Sequence, residues 1–167
     1  QIGILFDTIE QRCKTPHVAM ISLICLATGA RWGEAQALTP ERVRDGFVMF
    51  VNTKGKRARA IPIDRQLEKR IHEHFCKHGG FSNCINSFDK TLAASKLPVP
   101  PGQSSHVLRH TFASHFIMNG GNILTLQKIL GHTSLAMTMR YAHMSPDHLE
   151  SALRLSPLVQ SGYAITA

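Results

Sequence analysis

Apolar residues recur every three to four positions from Ile2 to Thr28, and the pattern breaks at Thr15-Pro16. That spacing lays them along helix faces, and a Thr able to cap followed by a Pro suited to the first helical turn predicts two consecutive helices. A chain that opens this way commits much of its core to helix packing. Gly29 fits the position just past the second helix, and Arg31-Trp32-Gly33-Glu34 begins a short helical segment ending near Leu38. Arg31 therefore stands at a junction between helices.

The period changes after Thr39-Pro40 and the turn signal Asp45-Gly46. Phe47 to Val51 and Ala60 to Ile63 are rich in aromatic and branched residues and predict two strands. Asn52-Thr53-Lys54-Gly55-Lys56-Arg57 lies between them, so the tip of this β-hairpin is expected to be strongly positive. Helices follow at Arg65 to Lys77 and Asn83 to Ser95, separated by Gly79-Gly80, and Pro98-Val99-Pro100-Pro101-Gly102 is a stiff loop that no helix crosses. Ser105 is expected to cap a helix running to about Asn119. Asn122 caps the next, which stops at Gly131. A shorter helix around Leu135 to Tyr141, a last one over Pro146 to Leu155 and a weakly patterned tail complete the reading. The expected fold class is α+β, mainly α-helical, with a small antiparallel β-hairpin or sheet.

At 167 residues the chain suits one main core. With 43% hydrophobic and 18% charged residues it is neither disordered nor fibrous, and the absence of an eighteen-residue apolar run argues against a transmembrane span. Nineteen Lys and Arg against eleven Asp and Glu leave a formal charge of +8, which favours a phosphate backbone as partner ahead of an anionic lipid surface. Four cysteines, partly inside apolar stretches, suit a reducing compartment, and the expected site of action is cytoplasmic.

Several residue sets could carry chemistry. His106 and Arg109, three apart on a helix, share a face and could reach one phosphate, although the same spacing fits an ordinary surface pair. Arg31 has Glu34 three residues on to orient it, or to form a simple surface ion pair with it. Lys54 could deliver a cation or a proton to a bound phosphodiester, whereas Lys56, Arg57 and Arg59 suit delocalised attraction to a DNA backbone. His132 follows the helix-stopping Gly131. Tyr141 is a weak nucleophile unless neighbouring cations stabilise the developing phenolate, and by itself it reads as a half-buried core tyrosine. The stretch from Thr133 to Met139 contains few strong anchors, which predicts a mobile Tyr141 segment. His110 and His115, interleaved with Phe112 and Phe116, read as packing or surface positions. His72, His74, Cys76 and His78, with Cys84 beyond, offer zinc-ligand types, but residues two apart on a helix point in different directions and no closed tetrahedral set emerges.

Read in order, Ala27-Thr28-Gly29-Ala30-Arg31-Trp32-Gly33-Glu34, Lys54 in the hairpin, His106-Val107-Leu108-Arg109-His110-Thr111-Phe112-Ala113, Leu130-Gly131-His132 and Arg140-Tyr141-Ala142-His143 strongly resemble the catalytic domain of tyrosine recombinases, in particular temperate-phage integrases. The resemblance runs from about Leu5 to Leu153. Each element alone is weak and the ordered set of five is specific. Val107 departs from the family's commoner form, in which an acidic residue adjoins the His.

The resemblance implies that Arg31, His106, Arg109 and His132 bind and activate a scissile phosphate. It implies that Lys54 protonates the leaving 5′-hydroxyl oxygen, that Tyr141 attacks phosphorus and that Glu34 supports the set. A 3′-phosphotyrosyl bond would conserve the phosphodiester energy, so the implied reaction needs no metal and no nucleotide cofactor. It proceeds through a Holliday junction between double-stranded DNA attachment sites held by a homo-tetramer, with accessory DNA-bending proteins as possible partners and no membrane. On this basis residues 1–155 are expected to form the catalytic domain and 156–167 a tail. The segment from Ser145 onward is the candidate for packing against a neighbouring protomer, and the family's amino-terminal DNA-binding modules are expected to lie outside this chain. The implied function is integration and excision of a phage genome in a bacterial host cell. A host or mobile-element recombinase of the same chemistry and a non-catalytic DNA-binding module are the alternatives. A metal-dependent nuclease fits less well, because the carboxylates are sparse and scattered.

Overall fold

The computed structural model describes residues 1–51, 58–100 and 102–146, together with Pro157. Lys54, Lys56, Arg57 and most of the helix expected over Pro146 to Leu155 lie outside the described residues. Two opening helices form as the periodicity requires, α1 (Ile2–Arg12) and α2 (His17–Thr28), with Pro16 at the break. α2 is apolar nearly all round and is the buried centre of the fold: Val18, Ile21, Ile24 and Cys25 are almost fully enclosed. It ends at Gly29, whose φ of +66° is the left-handed conformation that glycine adopts without a Cβ penalty. A short α3 (Trp32–Gln36) follows at once.

The strands form one antiparallel sheet, in the order β1 (Val43–Arg44), β2 (Phe47–Val51), β3 (Ala58–Pro62). β2 and β3 pair from Phe47 opposite Pro62 to Val51 opposite Ala58, so the expected hairpin is present. β1 is an addition that sequence patterning did not supply, since two residues carry no readable alternation. Val48, Phe50 and Ile61 turn inward from the sheet, following the two-residue period of a strand.

The remaining helices are α4 (Arg65–His78), α5 (Ile85–Ala94), α6 (Ser104–Met118), α7 (Ile123–Leu130) and a single turn, α8 (Ala136–Met139). Asp64 caps α4 by accepting from Leu67 N–H, and Asn122 caps α7 by accepting from Leu124 and Thr125 N–H. The expected cap at Ser105 is corrected: α6 starts two residues earlier, with Gln103 in the cap position and Ser105 inside the first turn. The zinc-ligand types on α4 diverge. His72 bonds Val43 O at 2.8 Å, His74 meets His17 Nδ1 at 2.8 Å, Cys76 is exposed and Cys84 is buried.

Two groups of buried side chains share the core. The larger runs from Leu5 through α2, the sheet, α4 and α5 to Leu108; the smaller joins Ala113, Ile117, Leu126, Leu130 and Tyr141. Helix α6 belongs to both, with Leu108 in one and Ala113 in the other. Arg109 falls at the seam.

Candidate active site

Arg109 is 5% exposed and is held by main-chain oxygens. Its Nη1 donates to Gly29 O at 2.9 Å and its Nη2 to Leu130 O at 2.7 Å. Both acceptors lie at helix C-termini, α2 and α7, where carbonyls lack intrahelical partners and the helix dipole favours a cation. Burial, followed by the Arg31 charge, lowers its pKa to about 10, so Arg109 still carries its charge at neutral pH. A buried cation held from behind by two carbonyls is pre-organised for an anion in front of it.

Glu34 links two further guanidiniums. Its carboxylate accepts from Arg59 Nη1 at 2.9 Å and Nη2 at 2.6 Å, from Arg31 Nη1 at 3.2 Å and from Arg31 N–H at 2.8 Å. Burial alone would raise the Glu34 pKa, but the Arg59 hydrogen bonds, the Arg31 N–H and the two positive charges outweigh it and hold the carboxyl at about 2. The Arg59 guanidinium also lies 5.0 Å from the centre of the Phe50 ring, and its side chain is only 12% exposed. Arg59 is thus an inward structural partner of Glu34 and Phe50, where sequence reading grouped it with the free cations of the hairpin tip. Arg31 stays 39% exposed and lines the cleft.

Gly131 closes α7 with φ +66°, its N–H bonding Lys128 O while His132 N–H bonds Gln127 O, the paired bonds of a Schellman turn. That turn fixes the His132 backbone. The ring is fixed by Thr138 Oγ1, 2.9 Å from His132 Nδ1, which leaves Nε2 for the cleft. Burial first, and then Arg109, Arg31, Arg140 and Arg59, lower the His132 pKa to about 4. The imidazole is therefore neutral until an anion offsets those charges.

Tyr141 is 4% exposed and packs with the smaller core group, and its hydroxyl lies 2.5 Å from His110 Nδ1. Burial raises its pKa, partly opposed by Arg140 and Arg109. Between Thr133 and Met139 only Thr138 is buried, so the anchors before Tyr141 are few, as expected. Thr138 is fully buried, holds His132 and accepts the Tyr141 N–H at 3.0 Å through its carbonyl. Reading His110 as a packing or surface position is corrected. It stands four residues from His106 on the same face of α6, and that i, i+4 spacing was the signal that could have found it.

These side chains line one open cleft of about 460 Å³, bounded by Arg31, His106, Arg109, His110, His132 and Tyr141. His106 sits in the first turn of α6 and is exposed at its rim. Of the sequence-derived set, Arg31, His106, Arg109, His132 and Tyr141 come together here, and Glu34 stands behind Arg31. Lys54, Lys56 and Arg57 lie outside the described residues. The cleft offers cationic and imidazole N–H donors to a tetrahedral anion, beside a phenol that can act as a nucleophile.

Comparison with known proteins is consistent with this geometry. The Phage integrase family matches residues 82–148, which contain His106, Arg109, His132 and Tyr141. The integrase of Escherichia phage 186 is 50% identical over 145 residues, an alignment spanning 86% of this chain and 43% of that protein. The integrase of Haemophilus phage HP1 is 49% identical over 146 residues, spanning 87% and 42%. The chain thus spans less than half the length of these two relatives. Among solved structures, the catalytic domain of bacteriophage HP1 integrase superposes with a TM-score of 0.83 at 44% identity, covering 95% of this chain and 94% of that one.

Proposed function

The chain belongs to the phage integrase family, and from that premise we propose that it is the strand-cleaving and strand-joining unit of a tyrosine-type site-specific recombinase. The observation that carries this reading is the convergence of Arg31, His106, Arg109 and His132 in one cleft with the Tyr141 hydroxyl. The cations and imidazoles bind the scissile phosphate and stabilise the charge that builds on its oxygens. Tyr141 Oη attacks phosphorus, and the 5′ oxygen leaves with a proton, the role assigned by family resemblance to Lys54. The 3′-phosphotyrosyl bond that results is opened by another strand's 5′-hydroxyl, so the number of phosphodiester bonds is conserved and neither metal nor nucleotide cofactor enters the chemistry.

The substrate in this reading is double-stranded DNA at attachment sites, where two rounds of exchange pass through a Holliday junction to integrate or excise a phage genome in the bacterial cytoplasm. A tetramer on paired sites assembles the four active centres, and the segment from Ser145 onward is the candidate for the contact between protomers. DNA-bending proteins are candidate accessories. The formal charge of +8 suits the phosphate backbone, and Lys56 and Arg57 are the residues proposed to add salt-dependent attraction.

The test mixes the chain with nicked suicide duplexes carrying candidate core sites in EDTA, quenches with SDS and looks for a covalent protein–DNA adduct. An adduct in wild type that disappears in Tyr141→Phe is the expected result. An adduct that persists in Tyr141→Phe would assign the nucleophile elsewhere. Binding without any adduct, repeated with flanking modules restored, would favour a DNA-binding module that keeps the fold.

A further inference from the structure

Among the described residues three histidines line the cleft, and they are not equivalent. His132 spends Nδ1 on Thr138, and His106 sits at the rim with its ring centre 6.4 Å from that of His110. His110 alone meets the Tyr141 hydroxyl, with Nδ1 2.5 Å from Oη and the two rings tilted at 46°. Building on the strand-transfer reading, we propose that His110 is the general base of the reaction, taking the phenolic proton as Tyr141 attacks and returning it when the strand is rejoined.

The step balances as follows. The Oη–H bond breaks as its proton passes to His110 Nδ1, the Oη–P bond forms, the P–O5′ bond breaks, and the 5′ oxygen takes a proton from a separate acid. In the reverse direction a 5′-hydroxyl attacks phosphorus and gives its proton to that acid, and Nδ1–H reprotonates the departing phenolate. The same pair thus serves cleavage and rejoining, as microscopic reversibility requires.

The surroundings suit a base that waits for substrate. Arg140 acts on His110 from the segment after α8, His106 and Arg109 flank it on its own helix, and Arg31 and His132 line the same cleft. Burial, then Arg140, His106 and Arg109, lower the His110 pKa, so the free imidazole is neutral and able to accept. Burial meanwhile disfavours spontaneous ionisation of Tyr141. A phosphodiester in the cleft brings an anion beside the same cations and raises the proton affinity of His110 when the base is needed.

Two measurements decide the proposal. Long-range ¹H–¹⁵N correlation on the wild-type chain at pH 7 is expected to show His110 protonated on Nε2 and bare on Nδ1, with the Nδ1 signal moving in Tyr141→Phe. A proton resident on Nδ1, donated to the tyrosine oxygen, would overturn the proposal whether or not any DNA is cleaved. In single-turnover adduct formation, His110→Asn keeps an acceptor near the Nδ1 position but has no basicity. It is expected to be slower by about 100-fold at pH 7, with the deficit shrinking as pH rises. The deficit should be equal on a duplex with a 5′-bridging phosphorothiolate, whose leaving group relieves only the need for an acid. A pH-independent deficit, an unchanged rate or recovery on the phosphorothiolate would each overturn it. A missing adduct in wild type would count against the strand-transfer reading, while the nitrogen spectrum still decides the His110–Tyr141 contact.

Discussion

Glu34 sets the positions of two guanidiniums, and both of its oxygens are committed. Glu34→Gln would leave Arg59 enclosed without its counter-charge, and the expected cost is about 3 kcal/mol in urea unfolding. Adduct formation should slow as well, since Arg31 loses its tether. Because the folded pKa of about 2 lies below the usual carboxylate value of 4.5, this pair contributes its full stability above pH 4.5 and loses it as pH falls toward 2. Arg109→Lys tests the planar fork. One ammonium cannot reproduce two diverging bonds to Gly29 O and Leu130 O while still facing the cleft, and single-turnover adduct formation is expected to drop at least about 100-fold.

At the scale of elements, two helix endings hold the arginine of the proposed anion cradle, because α2 and α7 each stop at a left-handed glycine and so present carbonyls to Arg109. Gly29 carries a second constraint: a Cβ there would stand 2.5 Å from Phe112 Cδ1 and 2.9 Å from Leu130 Cδ2. Gly29→Ala is therefore expected to destabilise by at least about 2 kcal/mol and to weaken adduct formation by displacing the carbonyl that Arg109 needs. Gly33→Ala is the control for stability. It lies inside α3 with open space around the new methyl, and a gain of about 0.5 kcal/mol in thermal or urea unfolding is expected.

Across the whole molecule, buried and half-buried imidazoles are expected to weaken the fold in acid. His74 and His132 have pKa values of about 4 against a usual 6.5, and His17 and His110 are lowered too, chiefly by burial. Between pH 6.5 and 4 the unfolded chain binds more protons than the folded one, so stability is complete above pH 6.5 and falls as pH drops through this window. Thermal melts from pH 8 to pH 4 should show the midpoint declining below pH 6.5, and His74→Gln should flatten part of the decline. A midpoint unchanged down to pH 4 would show that the imidazoles are not held neutral by the fold.

Helix identity, the hairpin strands, both glycine stops and the Asn122 cap were legible in sequence, because each depends on periodicity or backbone preference within a few residues. The ordered Arg, His-x-x-Arg, His and Tyr set was legible as a resemblance, and the fold brings its described members into one cleft. Local sequence did not determine which acceptors hold Arg109, since Gly29 and Leu130 are 80 and 21 residues away from it. Nor did it separate Arg59 from its basic neighbours or His110 from the aromatic residues around it, because the partners that decide, Glu34 and Tyr141, arrive only when strand, helix and turn pack together. Sequence alone determined the helices, the two hairpin strands and the glycine stops, but not the two-residue β1 or the first turn of α6. The packing of α6 across two core groups decided which charges are buried and which imidazole meets the phenol, since burial and hydrogen-bond partnership are properties of the assembled structure.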